Sequence, residues 1–224
     1  VEVPGEILEL LGQSRLGAQF RCVTGISTGN DRLHLSPTRR EGFSPPFYKN
    51  PGSRRFYCPP HAYLRDDFLD VERAQASFMV RNRALLFRPG ISCSSMGVTF
   101  GATYLPEGAT WGVNANIIAP DEDIWWLLAY MNSHLVSYLV RGVLNRSNMV
   151  TSGYVSRIPI PDLRPEDRRA LGAIAREAHA RRPNPTEALK VVQDVNRVLN
   201  ARLQFGDETL NTMQRFAAQI VQLT

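Results

Sequence analysis

The chain has 224 residues with a formal net charge of +5, and 43% of its residues are hydrophobic and 21% charged. These proportions are typical of a globular protein, and no apolar run reaches the ~20 residues that a membrane-spanning helix needs. Three cysteines cannot all pair with one another, so the composition favours a reducing compartment over a disulfide scaffold. We therefore expect a cytoplasmic protein that does not contact a membrane. Because the chain begins with Val1 instead of methionine, we also expect a processed piece or an excised domain.

The first third of the chain predicts a helix, a strand and a long loop. Apolar residues between Ile7 and Leu11 indicate a short amphipathic helix. A strand through Phe20–Val23 follows and ends at a glycine turn, Gly25–Gly29. Six prolines between residues 36 and 66 predict an irregular segment, because proline cannot donate a hydrogen bond to a β-ladder.

The middle of the chain predicts three strands and one long helix. The apolar run Ala84–Phe87 is typical of a buried strand. Val98–Tyr104 and Trp111–Ala119 are predicted to form a hairpin, with Pro106–Gly108 as the turn. Apolar residues then recur every three or four positions over Ile124–Leu139, which predicts a helix with one buried face.

After residue 161 the composition shifts to residues that favour helices. Pro165 and Pro185 are each predicted to begin a helix, since proline suits the first helical turn, and a third helix is expected after Asp207. The whole pattern predicts an α+β fold. Residues 1–161 form a mixed β-sheet domain with one long packed helix, and residues 162–224 form a C-terminal helical segment.

Three short motifs occur in a fixed order along the first domain. They are the glycine turn Gly25-Ile26-Ser27-Thr28-Gly29-Asn30-Asp31, the triplet Met131-Asn132-Ser133 and the exit Ile158-Pro159-Ile160-Pro161. With this order and spacing, residues 20–161 resemble the C-terminal target-recognition, or specificity, domain of adenine-specific DNA methyltransferases. That family includes the bifunctional type IIG restriction-modification enzymes.

The resemblance implies a function in sequence-specific recognition of double-stranded DNA. It further implies a covalently linked methyltransferase domain, possibly with a nuclease, which this chain does not contain. We therefore expect no enzymatic activity and no cofactor in this chain alone, with S-adenosylmethionine bound by the catalytic domain. One alternative is a fragment of the specificity subunit of a multi-subunit restriction system. The other, from a different functional class, is a hydrolase that uses Cys58 and His61.

Two catalytic patterns are incomplete in this sequence. Ser44-Pro45-Pro46-Phe47 matches the text of the methyltransferase motif that holds the target base, but the polar residues before it do not form the buried strand which that motif requires. Cys58 and His61, with Cys22 and Cys93, supply four possible zinc ligands but lack the second close pair of a typical zinc site. Structural roles are favoured for both patterns.

The positive charge of the chain is concentrated in two windows. Residues 36–57 contain five basic residues and one acid, and residues 124–161 contain three basic residues and no acid. Of the 26 basic residues 24 are arginines, whose planar fork suits phosphate and guanine. A GC-rich genome is an alternative explanation for the arginine bias. The windows indicate a surface that binds a polyanion.

Candidate DNA-contacting residues come from three segments. The glycine turn contributes polar side chains, the first basic window alternates arginines with aromatic residues, and the loop after the long helix is rich in amides and hydroxyls that can read base edges. In each segment the alternative is a structural role in a turn or a surface loop. Arg146 is the long donor in the polar loop and is expected to read guanine. Ser92–Gly97 is a further polar stretch that can face DNA. The candidates are Thr28, Asn30, Arg39, Arg40, Lys49, Arg54, Arg55, Asn145, Arg146, Ser147, Asn148, Thr151, Ser152 and Tyr154.

Overall fold

The computed structural model describes residues 3–97, 99–145 and 147–222, and it has an α+β fold, as the sequence predicts. The strands are β1 (Arg21–Val23), β2 (Ile26–Ser27), β3 (Leu35–Ser36), β4 (Phe43–Tyr48), β5 (Ala62–Arg65), β6 (Met79–Val80), β7 (Gly90–Cys93), β8 (Ala102–Leu105), β9 (Thr110–Trp111) and β10 (Asn116–Ile118). The helices are α1 (Gly5–Leu11), α2 (Leu16–Gln19), α3 (Asp31–His34), α4 (Phe68–Ala74), α5 (Asp121–Met131), α6 (His134–Tyr138), α7 (Ser152–Val155), α8 (Pro165–Arg181), α9 (Pro185–Leu203) and α10 (Asp207–Gln222). A 3-10 turn spans Arg83–Leu85, and a π-helical turn spans Leu139–Leu144.

The first sheet has the strand order β1-β10-β7-β8 with antiparallel neighbours. Its register places Cys22 opposite Ile117 and Ile117 opposite Ile91. Helix α5 packs on β7 and β8 and also against α8, which in turn packs against α9. The C-terminal helices therefore share one hydrophobic core with the first sheet, and Leu171 and Val192 contribute to it.

The second sheet has the order β3-β5-β4-β9, in which β4 and β9 are parallel. A separate core lies against it and contains Phe47, Leu64, Phe78 and Trp111. Strands β2 and β6 pair with each other beside this core. The loops that leave the second sheet, together with those between the two sheets, build the candidate site.

The predicted hairpin over residues 98–119 is wrong, although strands occur in both halves. Val98, the first residue of the predicted hairpin, lies outside the described residues. Strand β8 pairs with β7, and the second half divides into β9, which joins the second sheet, and β10, which joins the first. The chain changes sheets between Gly112 and Ala115, where the Gly112 carbonyl accepts a hydrogen bond from the Gly25 amide at 2.9 Å. Alternation of apolar residues does not reveal such a crossing, because both halves are buried.

The loop predicted from the prolines of residues 36–66 is only partly a loop, since β4 and β5 lie within it. Pro45 and Pro46 are tolerated inside β4 because the register with β5 shifts between Phe43 and Pro46. The Pro46 carbonyl accepts a hydrogen bond from the Thr110 hydroxyl at 3.0 Å. Proline content therefore overstated the irregularity of this segment.

The strand predicted for residues 84–87 is also wrong. A 3-10 turn covers Arg83–Leu85, and the residues that bracket the segment, Asn82 and Phe87, have φ angles of 52° and 68° in the left-handed region. Two left-handed residues so close together cannot belong to one extended strand. Of the apolar residues here, Leu86 is buried while Phe87 is largely exposed.

The long helix is predicted in the right place but is interrupted. Helix α5 ends at Met131, and α6 begins at His134 after Ser133, whose hydroxyl caps α6 by accepting a hydrogen bond from the Val136 amide at 3.1 Å. Helices α8 and α9 begin at Pro165 and Pro185, which confirms both predicted starts. Within the described residues, no helix combines the length and the apolar composition that crossing a membrane requires.

Candidate nucleic-acid interface

The glycine turn lies against the point where the chain changes sheets. A Cβ atom on Gly25 would approach the Trp111 carbonyl oxygen to 2.2 Å, so only glycine fits there. Gly29 has a φ of 66°, a left-handed conformation that favours glycine, and its Cα faces Ser77 closely. Glycine is thus required at position 25 by the close approach of Trp111, and it is favoured at position 29 by the positive φ angle. Together the two glycines fix the path of the polar residues Thr28, Asn30 and Asp31.

A cavity of about 630 Å³ opens beside this turn. Four segments that are distant in sequence line it, together with Phe47: residues 26–32, residues 49–50, residues 95–96 and residues 112–114. We call this the loop cavity. Three predicted contact residues, Thr28, Asn30 and Lys49, meet here, and so does part of the polar stretch Ser92–Gly97.

An ion pair between Lys49 and Asp31 joins two of these segments. The Thr28 hydroxyl donates to the other carboxylate oxygen of Asp31 at 2.5 Å. Burial by itself would raise the pKa of Asp31, but the hydrogen bonds from Lys49 and Thr28 and the charge of Lys49 outweigh it and lower that pKa. Asp31 is therefore ionised at neutral pH, and about two fifths of the Lys49 side chain remains open to solvent.

The amide of Asn50 connects this group with the next segment. Its Oδ1 atom accepts hydrogen bonds from the Gly52 and Ser95 amides, both at 3.1 Å. The Ser95 carbonyl in turn accepts from the Val150 amide at 2.7 Å. Through these contacts the polar loop of residues 145–151, as far as the structure describes it, is held beside the loop cavity at Val150, a proximity that the sequence does not reveal.

The polar loop is organised by its own first residue. Asn145 is buried, and its Oδ1 atom accepts from the Ser147 amide and hydroxyl, both at 2.9 Å, while its Nδ2 atom donates to the Met149 carbonyl at 2.8 Å. Arg141 donates to the Ser147 and Asn148 carbonyls from the π-helical turn. Asn145 therefore shapes the loop, and Ser147 and Asn148 are exposed polar residues within it. Arg146, the predicted guanine reader, lies outside the described residues.

Apolar side chains that sequence reasoning missed are exposed around the loop cavity. Met96 is 54% exposed and Val113 is 58% exposed, and both line the cavity. Met149, in the polar loop, is 52% exposed. In the sequence Val113 belongs to the alternation of apolar residues from Trp111 to Ile117, and Met149 lies beside the apolar Val150, so neither carries a signal for a surface role. Apolar contacts of this kind are those that recognise a thymine methyl group.

Other predicted contact residues lie elsewhere on the surface. Arg39 and Arg40 are exposed at the start of β4, where Arg40 and Phe43 exchange backbone hydrogen bonds, whereas Lys49 follows the end of that strand. At about 3.3 Å per residue the two ends of β4 are roughly 17 Å apart. Thr151 is exposed and leads into α7, which carries Ser152 and Tyr154 and packs beside β1. The candidates thus form several separate groups, of which only Thr28, Asn30 and Lys49 line the loop cavity.

Arg55 does not lie on the surface that the basic window predicts. It is only 7% exposed, and its guanidinium donates to the Phe100 carbonyl inside the protein. Its neighbour Arg54 is exposed and lies near His61. The alternation of basic and aromatic residues gives no means of distinguishing the two arginines, because they are adjacent in sequence and both precede the buried Phe56.

Cys58 and His61 are close but lack the properties of a nucleophile and base. The Cys58 Sγ atom is 3.9 Å from the His61 Nε2 atom, and the thiol is buried. Burial raises the pKa of the Cys58 thiol despite the nearby charge of Arg54, so the reactive thiolate is disfavoured. The His61 Nδ1 atom accepts a hydrogen bond from the Lys49 amide at 3.1 Å, which makes the ring part of the local structure.

The Ser44–Phe47 segment cannot hold a base. It forms most of strand β4, and the Phe47 ring is packed in the second core. The Ser44 hydroxyl and amide both donate to Asp66. Among the residues that the structure describes, no three His, Cys, Asp or Glu side chains are placed to hold a metal ion.

The other two motifs of the resemblance, the triplet Met131-Asn132-Ser133 and the exit Ile158–Pro161, make structural contacts. Asn132 binds the edge of β8 through Ala102, and the Tyr130 hydroxyl donates to the Pro159 carbonyl at 2.6 Å. The exit motif also pairs with the N-terminus, since the Ile160 amide donates to the Ser14 carbonyl at 2.7 Å. The two motifs therefore meet in the core. No family model matches this sequence, and no curated protein matches it.

Proposed function

We propose that the chain recognises a specific sequence in duplex DNA on behalf of a covalently linked, adenine-specific DNA methyltransferase domain. In this proposal the loop cavity and the adjacent polar loop face the duplex. The catalytic domain binds S-adenosylmethionine and extrudes the target base, while this chain contacts the duplex around it.

The observation that carries the proposal is the convergence of polar segments on one open cavity. The glycine turn, Lys49, Asn50 and Ser95 come from distant parts of the sequence and are linked by the Lys49–Asp31 ion pair and the Asn50 hydrogen bonds. Such an arrangement presents donors, acceptors and a cation together on loops held by a rigid scaffold. Mixed polarity of this kind suits base edges and phosphates at the same time.

Each group of residues has a chemical role in this proposal. Lys49 is a partly exposed cation and Arg54 an exposed one, and both can neutralise phosphates. Asp31 is an ionised acceptor suited to the exocyclic amino group of cytosine, and Ser147 and Asn148 offer hydroxyl and amide groups to base edges. Met96 and Val113 add apolar surface that a thymine methyl can contact.

A fragment of the specificity subunit of a multi-subunit restriction system would use the same surface to bind DNA. DNA recognition is therefore common to this hypothesis and to the methyltransferase hypothesis. The linked methyltransferase is supported by the resemblance of the three motifs. An Asn-Pro-Pro-Tyr motif in the reading frame upstream of Val1 would support it further. A hydrolase that uses Cys58 and His61 is disfavoured, because the Cys58 thiol is buried and burial raises its pKa.

The experiment is a selection of the chain against a library of random duplexes, followed by sequencing of the bound fraction. We expect enrichment of one short sequence, and binding of the selected duplex in preference to a scrambled duplex of equal length and composition. Retention of all duplexes without enrichment would mean that the loop cavity contributes charge but no sequence readout. Absence of any duplex binding at low salt would refute the proposal, because the electrostatic component is strongest there.

A further inference from the structure

A second cavity, of about 520 Å³, is lined by residues that are all different from those of the loop cavity. Arg55, Thr99 and Phe100 form one side of it, and helices α6, α9 and α10 form the other. We call this the Arg55 cavity. Its mouth is framed by the exposed amides Gln193 and Gln214.

Arg55 is a buried cation at the wall of this cavity. Arg55 is only 7% exposed to solvent. No carboxylate of the described residues lies within ion-pair distance of its guanidinium. Burial lowers the pKa of Arg55 to about 10, which still leaves the guanidinium charged at neutral pH. A buried charge is costly unless an opposite charge compensates it.

The local backbone is shaped to admit this side chain. Gly101 lies beneath the guanidinium, and a Cβ atom there would approach the Arg55 Nη1 atom to 3.1 Å. The same nitrogen donates to the Phe100 carbonyl. A neutral carbonyl fixes the orientation of the guanidinium but supplies no negative charge.

The remaining lining is acid-free and divides into a polar and an apolar part. His134 and Ser137, on α6, are polar groups of this lining, and burial and then the charge of Arg55 lower the pKa of His134. Leu189, Ala217 and Ile220 supply the apolar wall on α9 and α10. An occupant that satisfies both parts has a negatively charged head and an apolar body.

We propose that the Arg55 cavity binds an organic anion, with a single carboxylate paired to the Arg55 guanidinium and an apolar portion against the wall formed by α9 and α10. One buried cation is matched by one negative charge, and the planar guanidinium can hold a carboxylate through two hydrogen bonds. This site is independent of the proposed DNA-binding surface, because the Arg55 cavity and the loop cavity share no lining residue.

The test uses hexanoate as the probe, with hexanamide as its uncharged counterpart and inorganic phosphate as an anion without an apolar body. Thermal unfolding of the whole chain is measured with each compound. We expect hexanoate to raise Tm by about 3–6 °C at roughly ten times its Kd, and hexanamide and phosphate to have no such effect.

Three variants complete the test. Arg55→Met removes the charge and should abolish the shift, whereas Arg54→Met, at the exposed neighbouring arginine, should retain it. Ala217→Phe keeps Arg55 but fills the cavity and should also abolish the shift, so the outcome does not depend on how Arg55→Met folds. A wild-type chain that does not respond to hexanoate would overturn the proposal. An equal shift from hexanamide or phosphate, or a shift that persists in Arg55→Met, would overturn it as well.

Discussion

The side-chain amide of Asn132 binds the backbone of Ala102 at the edge of strand β8. Its Oδ1 atom accepts from the Ala102 amide at 3.0 Å, and its Nδ2 atom donates to the Ala102 carbonyl at 2.9 Å. The Phe56 amide donates to the same carbonyl at 2.8 Å, so Asn132 and Phe56 together cover this edge. The Asn132 side chain thereby joins the end of helix α5 to the edge of β8, and with the Phe56 backbone it closes the first sheet against further strand pairing.

Replacing this amide should destabilise the fold. In Asn132→Ala the Ala102 carbonyl keeps the Phe56 amide, but the buried Ala102 amide loses its acceptor. We expect the free energy of unfolding in urea to fall by about 2–3 kcal/mol. Asn148→Ala is the control, since Asn148 is exposed, and it should change stability by no more than about 0.5 kcal/mol. Equal stability of the two variants would contradict the edge-closing role of Asn132.

The hydroxyl of Tyr130 should contribute to stability without any role in binding. Tyr130→Phe removes its buried hydrogen bond to the Pro159 carbonyl and keeps the ring. We expect a loss of about 1–2 kcal/mol in urea unfolding, because that carbonyl loses its donor. Tyr63→Phe, at a partly exposed tyrosine in β5, is the matched variant and should unfold at nearly the wild-type urea concentration. An unchanged midpoint for Tyr130→Phe would show that the exit motif is held by other contacts.

The three thiols should be unreactive in the folded protein. Burial raises the pKa of Cys22 to about 12 from an ordinary value of 9.0, and burial raises the pKa of Cys58 and Cys93 as well. At pH 8 the thiolate is therefore scarce, and labelling with a disulfide reagent should be slow until urea unfolds the chain. Rapid labelling of even one cysteine in the native protein would contradict the packing described.

The raised pKa of Cys22 also has a consequence for stability. A thiol whose folded pKa lies above its unfolded value stabilises the fold fully below the unfolded value, near pH 9. That contribution is lost as the pH rises toward 12. Cys22→Ala should accordingly flatten the decline of stability between pH 9 and 12 in urea titrations, and an identical decline in wild type and variant would count against it.

The helical half of the fold follows from local signals. Pro165 and Pro185 fix the starts of α8 and α9, and the Asn184–Glu187 capping box reinforces the second start within four residues of sequence. These signals need no knowledge of the rest of the chain. The break at Asn132 is different, because it depends on Ala102, thirty residues away. Periodicity alone does not reveal this break, because the apolar residues recur at helical spacing on both sides of it.

The candidate site could be predicted only in part, because it also depends on contacts between distant parts of the chain. Thr28, Asn30 and Lys49 carry recognisable polar or basic chemistry, and all three line the loop cavity. Arg54 and Arg55 are indistinguishable in sequence, yet one is exposed and the other buried by its contact with Phe100. The link from Ser95 to Val150 joins loops that are far apart in the chain. Such long-range contacts decide which polar segments share a surface.

Arg54 should behave as a phosphate contact if the loop cavity faces DNA. Arg54→Ala should weaken binding of selected and scrambled duplexes alike, and it should reduce the slope of log affinity against log salt by about one. Asn148→Ala should instead reduce the preference between the duplexes, by roughly 1–3 kcal/mol, because amides read base edges. Fluorescence anisotropy titrations at several salt concentrations measure both quantities. If the two variants lose affinity equally for both duplexes, the polar loop only anchors the chain to DNA.

The two lysines of this chain allow the most direct test of DNA binding through the loop cavity. Lys49 lines that cavity and pairs with Asp31, whereas Lys190 is exposed on α9. Lys49→Ala and Lys190→Ala remove the same charge from the two places. Each variant is titrated with the selected duplex, and the salt dependence of its affinity is compared with that of wild type. We predict that Lys49→Ala weakens binding roughly tenfold, or about 1.4 kcal/mol, and lowers the salt slope, while Lys190→Ala matches wild type. Equal affinity of the two variants would contradict the assignment of the loop cavity to DNA.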